Sequence, residues 1–272
     1  MELKGSVAVV TGASAGIGWA TAAAFAREGA RVVVAARREE RLNQLVQEIG
    51  NRGGMAVPVV CDVGDWAQVQ ALAERTRQEF GRCDVLVNNA GVPGGGWFAD
   101  MSMEKAEQVT RINYLGVLYG TKAFLPMMLE AGRGHVVNVA SLAGRFAVPG
   151  SAVYSASKHA VVAFSESLNS TMKPHGILVT AVNPGLVATE GFPHNDAIAK
   201  GREVLKPEDV ARVIVRVVAK GIAPERSIPR WLAAMQVFRV LTPRLYRYGM
   251  DRAVKQGLRA TQVDEGQATT TP

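Results

Sequence analysis

Ser6-Val-Ala-Val-Val-Thr-Gly-Ala-Ser-Ala-Gly-Ile-Gly18 decides the fold. Its first half, through Thr11, is an apolar run rich in β-branched residues and reads as a buried strand. Gly12, Gly16 and Gly18 follow at once, and a helical stretch over 17–28 comes next, stopped by Gly29. Strand, glycine turn and helix, in that order, is the context in which such a motif means dinucleotide binding. Small residues let a pyrophosphate approach the backbone. The helix N-terminus offers unpaired N–H groups and the positive end of its dipole. The spacing is GxxxGxG rather than GxGxxG, and a tight turn without a ligand is the competing reading. The flanking strand and helix weigh against it.

Outward from this turn, strand-like apolar runs alternate with helical stretches, the pattern of a parallel sheet covered on both faces. Strands are predicted near 6–11, 31–36, 56–61, 84–88, 135–140 and 177–182, with a short seventh near 226–229. Helices are predicted near 17–28, 39–49, 65–80, 103–130, 152–173 and 207–220. The fold class is therefore α/β: a three-layer, doubly wound Rossmann fold with a mostly parallel sheet of about seven strands. One such domain spans 1–230, a basic amphipathic extension spans 231–261, and a polar, disordered tail is expected over 262–272.

Composition sets the outer limits. The chain has 272 residues, of which 48% are hydrophobic, enough for one large domain core. Its two cysteines, Cys61 and Cys83, make neither a disulfide framework nor a zinc spacing, and the four histidines are scattered. No metal is expected. A reducing, cytoplasmic setting fits the cysteines, with attachment at a membrane surface left open. The first strand begins within ten residues of Met1, which leaves no room for a signal peptide ahead of it. No apolar run approaches the ~18–20 residues that span a bilayer.

Tyr154 and Lys158 supply the chemistry. Four residues apart on a helix puts both side chains on one face, one turn along. A phenol of pKa ~10 is a poor acid or base at neutral pH, and a neighbouring cation favours its ionised form. Lowering that pKa by ~2–3 units takes roughly 3–4 kcal/mol of differential interaction. Ser141 lies thirteen residues upstream of Tyr154, just after the apolar run His135-Val-Val-Asn-Val-Ala140. Alone, the pair would be an ordinary surface contact; with a cofactor site in the same chain it becomes a candidate acid/base.

The chain resembles the short-chain dehydrogenase/reductase family over residues 4 to about 230. The motifs that carry the likeness, in order, are the glycine segment Thr11 to Gly18, the pair Asp62-Val63, Asn88 to Gly91 and Asn113. Ser141, the Tyr154/Lys158 pair and Asn183 to Gly185 complete the set. The resemblance implies a nicotinamide cofactor and a catalytic set of Asn113, Ser141, Tyr154 and Lys158. Ser141 would aim a carbonyl oxygen that Tyr154 protonates. Lys158 would hold the nicotinamide ribose and lower the tyrosine pKa, and Asn113 would hold a proton-relaying water. Helix packing is the other reading of Asn113, since a buried amide left without partners costs roughly 1–3 kcal/mol. Ser155 and Ser157 read more simply as helix residues.

Cofactor contacts are expected at Gly12, Ser14, Gly16 and Gly18 of the turn, and the resemblance adds Ile17, Asp62 and Val63. By the family pattern Asn89, Ala90, Gly91, Pro184, Gly185, Val187 and Thr189 join them, together with Tyr154 and Lys158. The choice of nicotinamide cofactor turns on Ala36-Arg37-Arg38. An acidic residue ~20 positions past the glycine turn would bind a ribose 2′-hydroxyl and mark NAD; Ala36 stands there instead. Two arginines at a helix N-terminus are misplaced against its dipole, and a bound phosphate would relieve that. NADP(H) is expected over NAD(H), with Arg37 the first choice of phosphate ligand, Arg38 beside it and Ser14 assisting. An exposed Arg37-Arg-Glu-Glu-Arg41 face balanced by its own acids is the competing reading.

Leu142, Val148, Leu186, Phe192 and Trp97 would surround Ser141 and Tyr154 with apolar side chains. A buried charge without a partner is expensive, so a lipophilic or bulky alcohol or carbonyl substrate is expected. The stretch 186–206 sits where the family carries a substrate lid. Family members commonly associate through helices equivalent to 103–130 and 152–173, so a homodimer or homotetramer is implied. A cofactor-binding regulatory or scaffold protein without turnover is the alternative, and the intact four-residue set argues against it.

Residues 221–260 hold eight Arg/Lys and two acids, 8 − 2 = +6 of a net +7. Trp231, Met235, Phe238, Leu241 and Leu245 share one helical face up to Pro243, which must kink or end the helix. Packing on its own subunit or a neighbour is one reading; peripheral contact with a membrane is the other. No nucleic-acid-binding fold is recognised.

Overall fold

Buried β-branched runs become the strands of a parallel sheet. A computed structural model describes residues 1–190, 204–229, 231–249 and 252. The unit Met1–Pro229 contains β1 (Val7–Thr11), β2 (Arg31–Ala36), β3 (Met55–Val60), β4 (Val85–Asn88), β5 (Gly134–Val139), β6 (Ile177–Pro184) and β9 (Glu225–Ile228). These pair in the order β3-β2-β1-β4-β5-β6-β9, every pairing parallel. Chain order reverses between β1 and β4, so their carboxyl ends open the crevice where doubly wound sheets bind ligands.

Helices cover both faces. α1 (Gly16–Arg27), α2 (Glu39–Asn51) and the helix α7 (Pro207–Lys220) bury Phe25, Leu42, Leu45 and Ile214 on one side. α3 (Trp66–Phe80) and α5 (Gly116–Ala131) bury Leu72, Phe124 and Met128 on the other. α6 (Ala152–Met172) packs beside them, with Val161 and Val162 buried. α3 is capped by Asp65, whose carboxylate accepts from Ala67 and Gln68, and ends at Gly81 in the left-handed region.

Two predicted elements differ in detail. The helix expected over 103–130 is interrupted: α4 (Met103–Thr110) runs into a π-helical turn (Arg111–Leu115) before α5 begins. That wider turn holds Asn113, whose amide bonds the main chain of Val92, a contact that helical periodicity does not encode. The stretch 186–206 is not wholly irregular, because β7 (Leu186–Val187) and β8 (Val204–Leu205) pair in parallel at its two ends. Its centre lies outside the described residues.

The C-terminal unit holds α8 (Trp231–Leu241) and a second helical stretch over 243–249. The break falls at Thr242-Pro243, as the proline requires. Of the expected extension, most residues beyond 249, and the tail 262–272, lie outside the described residues. No described helix is long and apolar enough to cross a membrane.

Candidate active site

The glycine turn sits at the carboxyl end of β1. Gly12 and Gly16 have φ of +66° and +54°, which side-chain-bearing residues rarely adopt. A Cβ on Gly18 would stand 2.5 Å from Asn89 Nδ2 and collide with the Gly12 carbonyl. The turn is therefore packed to backbone contact. Ala15 caps α1 without a side-chain hydrogen bond, so no side chain of the cap takes the N–H groups of the first turn. Those groups, the positive end of α1 and the absence of acids from its first turn make a cradle that fits a pyrophosphate.

β4 supplies the facing wall. Thr11 Oγ1 accepts from the N–H groups of Asn89 (3.0 Å) and Ala90 (3.2 Å), and Asn89 Nδ2 donates to Thr11 O (2.9 Å). Asn89, Ala90 and Gly91 are thereby fixed beside the glycine turn. Gly91 also meets the catalytic candidates: a Cβ there would lie 3.2 Å from Asn113 Oδ1 and 3.7 Å from Lys158 Nζ.

Asn113 is fully buried. It accepts from Val92 N–H (2.8 Å), and its Nδ2 donates to Val92 O (3.0 Å) and to Ser157 Oγ (3.4 Å). Ser157 in turn donates to Tyr154 O at 2.8 Å, so the π-turn is tied to α6. The plain reading of Ser155 and Ser157 missed this. Both are buried; Ser157 links Asn113 to Tyr154, and Ser155 Oγ accepts from Val148 N–H (3.1 Å), holding that loop. The signal was there: short polar residues on the buried face of a helix must find partners.

Lys158 Nζ, also buried, donates to Val139 O at 2.9 Å, two residues before Ser141. Burial pushes its ammonium down to about 8. The nitrogen stands 5.8 Å from the Tyr154 ring centroid. The expected lowering of the phenol by this lysine is not what the geometry gives. Burial pushes the Tyr154 phenol up, and a hydrogen bond with Ser141 pulls against it. Ser141 Oγ also accepts from Ala143 N–H at 3.1 Å, the turn that aims the serine back at α6.

The other expected contacts are spread along the same edge. Asp62 accepts from Gly64 N–H (2.9 Å), while Val63 packs against Gly116. Gly185 N–H bonds Ile228 O at 2.8 Å, Pro184 ends β6, and Val187 is held in β7. The Thr189 methyl closes on the glycine turn; a Cβ on Gly16 would be 2.9 Å from it. Leu142 and Leu186 are half-buried beside Gly185, whereas Val148 and Trp97 are exposed. Phe192 lies outside the described residues.

The arginines divide in a way the sequence did not suggest. Arg37 faces Asp62 at 3.9 Å. Arg38 bonds Ser14 Oγ through Nε (3.2 Å) and Nη2 (3.1 Å), and Ser14 is buried. Arg38 and Arg41 both reach Glu190. The sequence gives no sign of the pairing of Arg41 with Glu190, because 149 residues separate them. Among the described residues no group of His, Cys, Asp or Glu could hold a metal ion.

Fold and edge together define a parallel, doubly wound α/β protein with a dinucleotide-type cradle and a Tyr/Lys/Ser/Asn cluster beside it. The family model for short chain dehydrogenase matches residues 6–197, and the chain belongs to the short-chain dehydrogenase/reductase family. It is 42% identical over 221 residues to a glycine betaine reductase of Emericella nidulans, covering 78% of this chain and 17% of that protein. Several relatives are much longer, and this chain spans 17–44% of their length. Among solved structures, an actinorhodin polyketide ketoreductase with NADPH superposes with a TM-score of 0.78 at 35% identity, covering 84% of this chain and 97% of that one. A Burkholderia phymatum short-chain dehydrogenase/reductase in complex with NAD gives 0.81 at 30% identity, covering 90% and 96%.

Proposed function

We propose that this chain is an NADP(H)-dependent oxidoreductase interconverting a secondary alcohol with a ketone or aldehyde on a lipophilic or bulky substrate. The observation that carries this is the convergence of Asn113, Ser141, Tyr154 and Lys158 at the sheet edge that also holds the glycine cradle. A solved ketoreductase with NADPH on the same fold supports it. Gly12, Ser14, Gly16, Ile17 and Gly18 would hold the pyrophosphate side of the cofactor. Asp62, Val63, Asn89, Ala90 and Gly91 would line its adenosine half, and Pro184, Gly185, Val187 and Thr189 its nicotinamide. The cofactor, when bound, supplies or accepts the hydride.

The protein's own part is the proton. The Tyr154 phenol, held protonated by burial, donates to a carbonyl oxygen that Ser141 orients. Lys158, with its ammonium pushed down to about 8, gives up a proton more readily than a free lysine and can restore the phenol. Asn113, bonded to Ser157, and Ser157, bonded to the Tyr154 main chain, fix the helix turn that carries the tyrosine. The protonated phenol suits the reductive direction. Leu142 and Leu186, half-buried beside Gly185, and the exposed Val148 would give the substrate side its apolar character.

NADP(H) is preferred over NAD(H) because Ala36 presents no carboxylate, while Arg38, pinned to buried Ser14, and Arg37 put cations where a 2′-phosphate would lie. A groove of about 550 Å³ lined by Trp66, Leu118, Tyr119, Leu125, Phe164 and Leu168, with Thr121 and Lys122 among them, supports homodimer or homotetramer assembly through α5 and α6. In the C-terminal unit, Trp231, Val240, Leu241, Leu245 and Tyr248 are exposed among Arg239, Arg244 and Arg247, which favours contact with an anionic bilayer. Reversing Arg244 and Arg247 to Glu in the full chain should abolish its sedimentation with phosphatidylserine vesicles; unchanged sedimentation refutes that contact.

Oxidation of NADPH against carbonyls graded from short ketones to long-chain and polycyclic ones tests the activity, with Tyr154→Phe as blank. Turnover that rises with apolar size and vanishes in the blank is expected. Tight NADPH binding with no turnover on any member would favour the regulatory reading instead.

A further inference from the structure

Glu190 places its carboxylate between two arginines. Arg38 Nη1 donates to Oε2 at 3.0 Å and Arg41 Nη2 to Oε1 at 2.9 Å, so each oxygen serves one guanidinium. The same Arg38 is locked from its other side by Ser14 Oγ and Ser14 O (3.4 Å). One carboxylate bridging two guanidinium groups is the charge pattern of a phosphate held by an arginine pair. This bridge forms at the start of α2, beside the residue Ala36 whose position governs the adenosine ribose. Its anchor is the adjoining residue Thr189, whose methyl lies against Gly16 of the glycine turn.

Resting on the NADP(H) reading above, we infer that Glu190 is a specificity-determining residue: its carboxylate competes with the cofactor's 2′-phosphate for Arg38 and Arg41. NADPH must displace this carboxylate to engage the arginines. NADH carries a hydroxyl at that position, makes no claim on the guanidinium groups and leaves the bridge in place. Glu190 thus penalises NADPH selectively and narrows the preference that the arginines create.

The balance is fine enough to be set by one residue. Glu190, Arg38 and Arg41 have side chains 53%, 50% and 46% exposed, so each ion pair is screened and weak. The hydrogen bond from Arg38, with the charges of Arg38 and Arg41, holds the Glu190 carboxyl below the usual carboxylate range. A phosphate brings more charge and three acceptor oxygens, and displaces it. Arg37 instead faces Asp62 at 3.9 Å.

The test is a set of dissociation constants for NADPH, NADH and adenosine 2′,5′-bisphosphate, measured on the full chain and on Glu190→Gln at low and high salt. Glu190→Gln should tighten NADPH and the bisphosphate by about three- to tenfold, the worth of two surface ion pairs. NADH should change by less than twofold, and the gain should shrink with salt. A bisphosphate that binds both proteins equally overturns the role of Glu190 while leaving the NADP(H) reading in place. Weaker NADPH binding in Glu190→Gln overturns it too, because Glu190 would then be arranging the arginines for the phosphate. A bisphosphate that binds neither protein overturns both the inference and the reading beneath it.

Discussion

The two ends of the same sheet treat buried polar groups in opposite ways. At the amino edge, Ser6, Asp84, His135 and Thr180 are buried and spend their hydrogen bonds on the protein itself. Asp84 accepts from Val7 N–H (2.9 Å) and from Arg82, His135 bonds Thr180 Oγ1 (2.8 Å), and Thr180 donates to Ile222 O (2.6 Å). At the carboxyl edge, Asn113 is tied to Val92 and Ser157, Lys158 to Val139 O and Tyr154 to Ser141, and Asn113 and Lys158 both lie beside Gly91, next to the glycine cradle. Closed networks rigidify a fold, whereas a cluster that leaves donors facing a shared space is built to receive something. The difference separates residues that hold the sheet from residues that use it.

The sharpest way to break that distinction is Tyr154→Phe. Removing one hydroxyl at the carboxyl edge should cost about 10²–10⁴-fold in turnover, the usual worth of a positioned general acid. Folding stability should move by less than about 1 kcal/mol, because among the described residues the phenol gives up one hydrogen bond, that with the Ser141 hydroxyl. Steady-state rates and urea denaturation on one preparation decide the matter. A variant that loses stability in proportion to activity would show this edge to be structural as well.

The mirror experiment is Asp84→Asn. Asp84 is 2% exposed and pairs with Arg82 and with Arg133 (3.6 Å). Neutralising Asp84 removes the buried charge and leaves two arginines that reach solvent, so the loss is that of a charge-assisted bond to Val7 N–H and two screened ion pairs, roughly 2–3 kcal/mol. kcat/KM, corrected for folded fraction, should stay within about twofold. A fall in kcat/KM with full stability would mean that the amino edge reaches the chemistry.

What the sequence made legible follows the same divide. The β1 run and the glycine turn could be read because strand, turn and helix are local and their residue types are forced by backbone geometry. Tyr154 and Lys158 could be paired because a helix fixes which residues share a face. The π-turn at Arg111–Leu115 could not, since it depends on Asn113 reaching Val92, a partner brought in from after β4. Nor could the Arg38–Ser14 and Arg41–Glu190 contacts, which join residues 24 and 149 apart through the topology of the sheet. The direction of the Tyr154 shift was also misjudged. Charge was visible in the sequence; the burial that outweighs it was not.

The smallest effect separates the edges by pH. Thr180 has one hydroxyl proton and gives it to Ile222 O, so His135 Nε2 must donate, and the neutral ring satisfies this. Burial, with a smaller contribution from the amino-terminal charge, holds His135 down at about 4 against an ordinary 6.5. Above pH 6.5 the ring is neutral in folded and unfolded chains alike, and its titration contributes nothing. As pH falls from 6.5 toward 4 the unfolded chain takes up a proton that the folded one refuses, so stability falls. Between pH 7.5 and 5 that loss is on the order of 2 kcal/mol, obtained by integrating the linkage relation over the shift. His135→Gln keeps a donor for Thr180 without a titrating ring. Its stability should therefore fall by about 2 kcal/mol less than the parent's over that interval. Urea midpoints at both pH values read this directly, and parallel losses in the two proteins would remove His135 from the acid response. Because His135 sits at the amino edge, any change in the pH profile of turnover on His135→Gln would also contradict the separation of the two ends. That profile should follow Lys158, whose ammonium burial has pushed down to about 8.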